Sequence, residues 1–174
     1  MRAILCNSWG GTEVLKLTET PIPQPNENQV LIKVKATSAN YADLVMINGN
    51  YQTKPAFPFG PGLECSGIVS VIGKKVKNVK IGQNVLAKVK HSSFAEYTIA
   101  EADLTFPFPK KMSWEEAGSF FVSYVSSYAA IKWQGELKEN QTILVLGASG
   151  GTGVTAVQIG KALGAKVIGS ASNE

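Results

Sequence analysis

The rhythm of apolar and polar positions changes once along this chain, near residue 113. Before that point, short apolar runs are separated by Gly and Pro. Val30-Leu31-Ile32-Lys33-Val34-Lys35-Ala36 alternates over much of its length, the period of two that a half-buried strand shows. Residues 66–73, 84–89 and 94–99 read as further strands at short intervals. Pro21-Ile22-Pro23-Gln24-Pro25 marks a connection, because proline cannot donate to a sheet ladder. Many short strands with this punctuation predict a small barrel or sandwich, with a short helix over 41–47.

Beyond 113 the period lengthens. Ser113-Trp114-Glu115-Glu116 is a capping box, the serine set to accept from the helix and the glutamate to reach back. Residues 117–133 are apolar and lack Pro, which predicts helix, with Ser123 as the point where it could break. Ile143-Leu144-Val145-Leu146 is a continuous apolar run, as expected of a parallel strand buried on both faces. A helix is expected from about 152 to 163, closed by Gly164, and a second strand over 166–169. Strand, helix and returning strand make one βαβ unit, right-handed by the general rule.

The turn inside that unit admits two readings. Gly147-Ala148-Ser149-Gly150-Gly151 fits the G-x-S-x-G elbow that presents a nucleophilic serine. Read as Gly147-x-x-Gly150-x-x-Gly153, it is a phosphate-cradling turn, one residue longer in its first step than the usual G-x-G-x-x-G. The elbow needs an acid and then a His after the nucleophile, and the 25 residues after Ser149 contain no His. No Gly-Lys-Ser/Thr follows, so the turn is not a P-loop. The cradle is the better reading. Gly147 would make the tight turn, Gly150 admit a pyrophosphate, and Gly153 let helix and strand pack closely. Gly151 and Thr152 then open a helix whose free N–H groups and dipole favour phosphate, and Ser149 could add a hydroxyl bond.

In an NAD-binding unit an acidic residue ends the second strand and grips the ribose hydroxyls. Here that end reads Gly169-Ser170-Ala171-Ser172-Asn173-Glu174, and the first positions are small and uncharged. A carboxylate would repel a 2′-phosphate, whereas Ser170 and Ser172 can donate to one. NADPH is therefore favoured over NADH, with Glu174 too late to grip the ribose.

Composition narrows the classes further. Apolar residues make up 44% of the 174, enough for a packed core. The net charge is +4, and the one lysine-rich stretch, Lys74–Lys80, reads as a solvated loop rather than a nucleic-acid patch. Two cysteines form no disulfide framework, and no apolar run is long enough for a membrane span. Met1-Arg2-Ala3-Ile4 leads directly into strand-like sequence, so no secretory leader and a cytoplasmic setting are expected. No nucleic-acid or membrane partner is expected.

The stretches Gly10–Leu17, Val30–Val34, Ser38-Ala39-Asn40-Tyr41-Ala42-Asp43, Asn48–Tyr51, Pro61–Gly67, Phe94–Tyr97 and Gly147–Gly153 are together collinear with one family. They resemble the N-terminal part of the medium-chain dehydrogenases/reductases, and within them the zinc-independent quinone oxidoreductases of the zeta-crystallin type. The resemblance implies a mixed fold: a GroES-like β-barrel domain over 1–122, followed over 123–174 by the first βαβ unit of an incomplete Rossmann α/β domain. The active site is implied in the cleft between them. Zinc-dependent members carry Cys where this chain has Asn40 and His where it has Leu63, so no metal is expected.

The resemblance also implies roles. Asn40 would lie near the nicotinamide, unless it only satisfies loop backbone, and Asp43 would orient its loop. Tyr51 could donate a proton or bond a carbonyl, or be a half-buried barrel tyrosine. Ser126 would face the nicotinamide, or bond its own helix backbone. Relatives often place a second tyrosine where this chain has Val45, a departure that weakens a quinone-specific claim. His91 reads as a surface-loop residue. The implied activity is hydride transfer from NADPH to a quinone or activated enone, with an enoyl-thioester reductase or a non-catalytic nucleotide-binding module as alternatives. Family members are longer, so the chain reads as an N-terminal fragment, inactive alone and prone to dimerise or associate further through its open sheet edge.

Overall fold

A computed structural model describes residues 1–172. The chain divides into two compact units, Met1–Phe121 and the part from Val122 onward.

The first unit is built on a five-stranded antiparallel sheet. In chain order its strands are β3 (Gln29–Ala36), β4 (Glu64–Ile72), β5 (Asn84–Lys88), β6 (Tyr97–Glu101) and β7 (Thr105–Pro107), and in space they run β6-β3-β4-β5-β7. A separate hairpin pairs β1 (Arg2–Cys6) with β2 (Leu15–Glu19). Single bridges carry β1 to Ala95 and to Phe59. Alternation decides which faces meet: Val30 and Ile32 from β3, Cys65 and Val69 from β4, and Val85 and Ala87 from β5 are buried in one cluster with Val76, Val79, Val89 and Ala100. The β3–β4 ladder shifts register twice, with Ser70 of β4 extra opposite Leu31/Ile32 and Lys35 of β3 extra between Val34 and Ala36, irregularities of the kind that bend a strand and raise its twist.

Helix α1 (Tyr41–Ile47) leaves the end of β3 and buries Asp43, Met46 and Ile47. Helix α2 (Trp114–Gly118) starts at the capping box as expected. The Ser113 hydroxyl accepts from the Glu116 N–H at 3.1 Å, and the Glu116 carboxylate accepts from the Ser113 N–H at 2.8 Å.

The helical stretch after it does not break at Ser123. It stops at Gly118 and resumes as α3 (Phe121–Tyr128), then loosens into a π-helical turn over Ala129–Gln134. The cause is tertiary: α2 ends where Gly118 meets the Ala36 main chain, so closely that a Cβ there would sit 2.8 Å from the Ala36 carbonyl.

In the second unit β8 (Thr142–Leu146) and β9 (Lys166–Ser170) are parallel and in register from Thr142↔Lys166 to Leu146↔Ser170. Helix α4 (Gly151–Ala162) joins them. It closes with the Ala165 N–H on the Gly160 carbonyl and the Gly164 N–H on Lys161, both at 3.0 Å, a Schellman pair. Strand β8 was expected to be buried on both faces. Val145 is buried, but Leu144 is 59% and Leu146 74% exposed; among the described residues the strand packs mainly on β9 and α4.

Candidate functional site

The glycine turn is open where a ligand would approach. Gly147 sits at φ +68°, a conformation that side chains other than hydrogen strain to adopt. The Gly150 N–H then folds back to the Gly147 carbonyl at 3.0 Å, and Gly150 is the N-cap of α4. Gly147, Ser149, Gly150, Gly151 and Thr152 are all exposed. The N–H groups of the first helical turn have no partner within a helix, so this end offers donors and a positive dipole end. A hollow of about 480 Å³ lies against the turn, bounded by Leu146, Gly150, Gly151 and Gly153 among others.

Gly153 has a different task from the one expected. Its nearest neighbours are the main chain of the turn that directly follows β8. A Cβ on it would lie 2.1 Å from the Gly147 carbonyl oxygen, so the glycine lets the helix seat against its own turn. The packing of helix on strand falls to Gly160, whose Cβ position is 3.0 Å from Val167 and 3.3 Å from Ile143. The turn is further pinned by the Ala148 N–H, which donates to the Ser170 carbonyl at 2.8 Å and brings the end of β9 beside it. Ser170 and Ser172 are exposed there, while Asn173 and Glu174 lie outside the described residues.

Helix α3 supports the same turn through residues that sequence patterning did not single out. The Ser127 hydroxyl donates to the Thr152 carbonyl at 2.9 Å and pairs with the Thr155 hydroxyl at 2.7 Å, both residues being buried. Ser126, one residue earlier, is exposed, and its hydroxyl donates to Val122 O at 2.6 Å along its own helix.

In the first unit Asn40 stands at the head of α1, held by two buried carboxylates. Asp43 Oδ2 accepts from the Asn40 N–H at 2.8 Å and Asp43 Oδ1 from the Gly62 N–H at 2.9 Å, so one side chain ties the helix to the loop before β4. Burial pushes the Asp43 carboxyl above its ordinary value, those two N–H groups pull it down, and the charge of Glu64 pushes it up. Glu64, 1% exposed, accepts from Ser38 Oγ at 2.5 Å and from the Asn40 amide at 2.9 Å on the same oxygen. Sequence reasoning missed Glu64; the available signal was a charged residue at the head of a strand otherwise set to be buried. Tyr51 is half-buried on the loop after α1, and its hydroxyl makes no hydrogen bond among the described residues.

His91 is half-buried rather than on the surface. Its Nδ1 lies 2.7 Å from Ser92 Oγ and its ring meets the edge of Phe59 at 6.2 Å. Burial lowers its pKa below the ordinary 6.5, and Lys90 lowers it further. It helps line a largely apolar cavity of about 380 Å³ between β1 and β6. Both cysteines are free and buried; burial, with Glu64 beside it, pushes the Cys65 thiol up to about 12. Among the described residues no three of His, Cys, Asp and Glu gather as a metal site, and no helix is long and apolar enough to cross a membrane.

A five-stranded antiparallel unit with a polar knot at its helix head, followed by a parallel strand pair around an open glycine turn, defines a class. Residues 26–110 match the alcohol dehydrogenase GroES-like domain. The chain is 36% identical over 176 aligned residues to the quinone oxidoreductase of Sus scrofa, covering 100% of this chain and 54% of that protein. Among solved structures, the human synaptic vesicle membrane protein VAT-1 homolog-like protein superposes with a TM-score of 0.95 at 34% identity, over 99% of this chain and 56% of that one. The Escherichia coli quinone oxidoreductase complexed with NADPH superposes with a TM-score of 0.93 at 32% identity, over 99% and 53%. The chain spans about half the length of the curated relatives it matches.

Proposed function

We propose that this chain supplies the GroES-like domain and the diphosphate-binding turn of a zinc-free, NADPH-dependent oxidoreductase that passes hydride to a quinone or activated enone. On this reading the βαβ unit is the start of a Rossmann domain. The observation that carries it is the open turn at the head of a twelve-residue helix between two parallel strands. A Cβ placed on Gly150 or Gly151 meets nothing nearer than 3.5 Å, and both residues are exposed, so the turn is not covered by its own side chains.

NADPH fits these residues. The amides of Gly151, Thr152 and Gly153 would hold the diphosphate, and the exposed hydroxyls of Ser149 and Thr152 could add bonds to it. Ser170 and Ser172 donate to the 2′-phosphate; no carboxylate stands between the end of β9 and residue 172. The nicotinamide, when bound, supplies the hydride. Asn40 and Tyr51 are the polar groups assigned to the nicotinamide and substrate. Ser126, its proton committed to Val122 O, serves as an acceptor. The similarity to quinone oxidoreductases, one of them complexed with NADPH, supports both the cofactor and the substrate class.

The test is a fluorescence titration of the chain with NADPH and with NADH. We expect NADPH to bind about tenfold or more tightly, the scale of one or two charge-assisted hydrogen bonds. Equal affinities would remove the 2′-phosphate assignment, and no binding of either would remove the cofactor reading. Quinone reduction by NADPH, assayed in a polypeptide of the relatives' length, tests the reaction.

A further inference from the structure

We infer that Glu64 is a positioning residue that fixes the Asn40 amide with its NH₂ group inward, so that Asn40 meets its ligand only as a hydrogen-bond acceptor. A carboxylate oxygen accepts and cannot donate. The single proton of the Ser38 hydroxyl goes to Glu64 Oε1 at 2.5 Å, so Ser38 shows the Asn40 amide a lone pair. Asn40 Nδ2 then donates twice, to Ser38 Oγ and to Glu64 Oε1, each at 2.9 Å. Turning the amide over would press its carbonyl oxygen against a buried carboxylate oxygen. The orientation therefore follows from the network and does not depend on how the amide atoms were assigned.

The main chain is fixed as firmly. Asp43 holds the Asn40 N–H at 2.8 Å, and the Thr37 hydroxyl donates to the Glu64 carbonyl at 2.7 Å, joining the end of β3 to the start of β4. Both amide protons are consumed inward. Asn40 Oδ1 faces the Asp43 N–H in the capping box of α1, which leaves the second of its two lone pairs, and Asn40 is half-buried rather than sealed. What Asn40 offers is a lone pair. It suits an N–H or O–H donor, such as the carboxamide NH₂ of a nicotinamide or the hydroxyl of a reduced quinone. It cannot polarise a quinone carbonyl by donation. The identity of that donor rests on the proposed function; the orientation does not.

Side-chain NMR of the ¹⁵N-labelled chain tests this. The Asn40 NH₂ pair is assigned by its loss in Asn40→Ala, and its solvent exchange is compared with that of exposed Asn50. We expect the Asn40 protons to be resolved and to exchange at least about tenfold more slowly, as protons held by two acceptors do. Glu64→Gln keeps a carbonyl oxygen for both donors and is expected to retain the protection. Glu64→Met, of similar length without an acceptor, is expected to lose it while the backbone spectrum beyond the Asn40 and Glu64 segments stays in place. Should Glu64→Met unfold the chain, Ser38→Ala takes its place: it removes one of the two acceptors and is expected to give an intermediate rate. Fast exchange in wild type, or undiminished protection in Glu64→Met or in Ser38→Ala, would overturn the inference. Failure to bind NADPH would leave it standing, because no readout here uses cofactor.

Discussion

Gly153 and Gly150 lie three residues apart and answer to opposite constraints. A Cβ on Gly153 would stand 2.1 Å from the Gly147 carbonyl oxygen and 2.8 Å from Ala148 Cα, both main chain. Gly153→Ala should therefore destabilise the second unit by about 3 kcal/mol or more, at the upper end of what overpacking costs. Urea unfolding followed by far-UV circular dichroism would read it, and an unchanged midpoint would contradict the contact. The sequence spacing indicates that a glycine is needed here, but it points to a strand as the neighbour when the neighbour is the turn itself. Spacing reports the period of the chain and not what the fold brings opposite it. Glu64 shows the same limit. Its identity is visible in Leu63-Glu64-Cys65, but not that its carboxylate is buried against Ser38 and Asn40.

Elements were legible where pattern and punctuation agreed. β3, β4 and α1, the capping box at α2 and the β8–α4–β9 unit all follow from alternation, capping residues or glycine placement. β7 did not follow, because it is three residues long and ends in Pro107, which restricts it to a sheet edge. The break between α2 and α3 was misplaced because contact with Ala36 sets it, not local propensity. The Ser113 cap isolates a local contribution. Ser113→Ala leaves the Glu116 N–H without its side-chain acceptor and should cost about 1 kcal/mol, measured as a lower urea midpoint of the first unit. No shift would mean that α2 is held by its packing on β3 and β4 alone.

For the molecule as a whole, the candidate chemistry falls in both units, with Asn40, Asp43, Tyr51 and Glu64 in one and the glycine turn in the other. The turn was legible from glycine spacing. The polar knot was legible only through family resemblance at Asn40, since a half-buried asparagine has no periodic signature. The chain's single histidine gives stability a pH handle. Its pKa in the fold lies below 6.5, so the folded state binds a proton less readily than the unfolded one. Its contribution is present above 6.5 and is lost as pH falls through the folded value. Wild type should thus lose more stability between pH 7.5 and a more acidic buffer than His91→Gln does, by comparison of urea midpoints. Equal losses would mean that His91 is as hydrated as it is in the unfolded chain.

Affinity for NADPH in wild type and in Gly150→Asp tests the central claim most directly. Gly150 has φ −75° and ψ 161°, open to any residue, and its added Cβ would keep an ordinary 3.5 Å contact. Aspartate is also a favoured N-cap, so the fold should be as stable or slightly more so. On the proposed reading, its carboxylate would stand at the turn where the diphosphate binds and would repel it. The account predicts NADPH binding by wild type and at least a tenfold loss in Gly150→Asp with the thermal midpoint maintained. Equal affinity in the two proteins, or no binding by wild type, would contradict it.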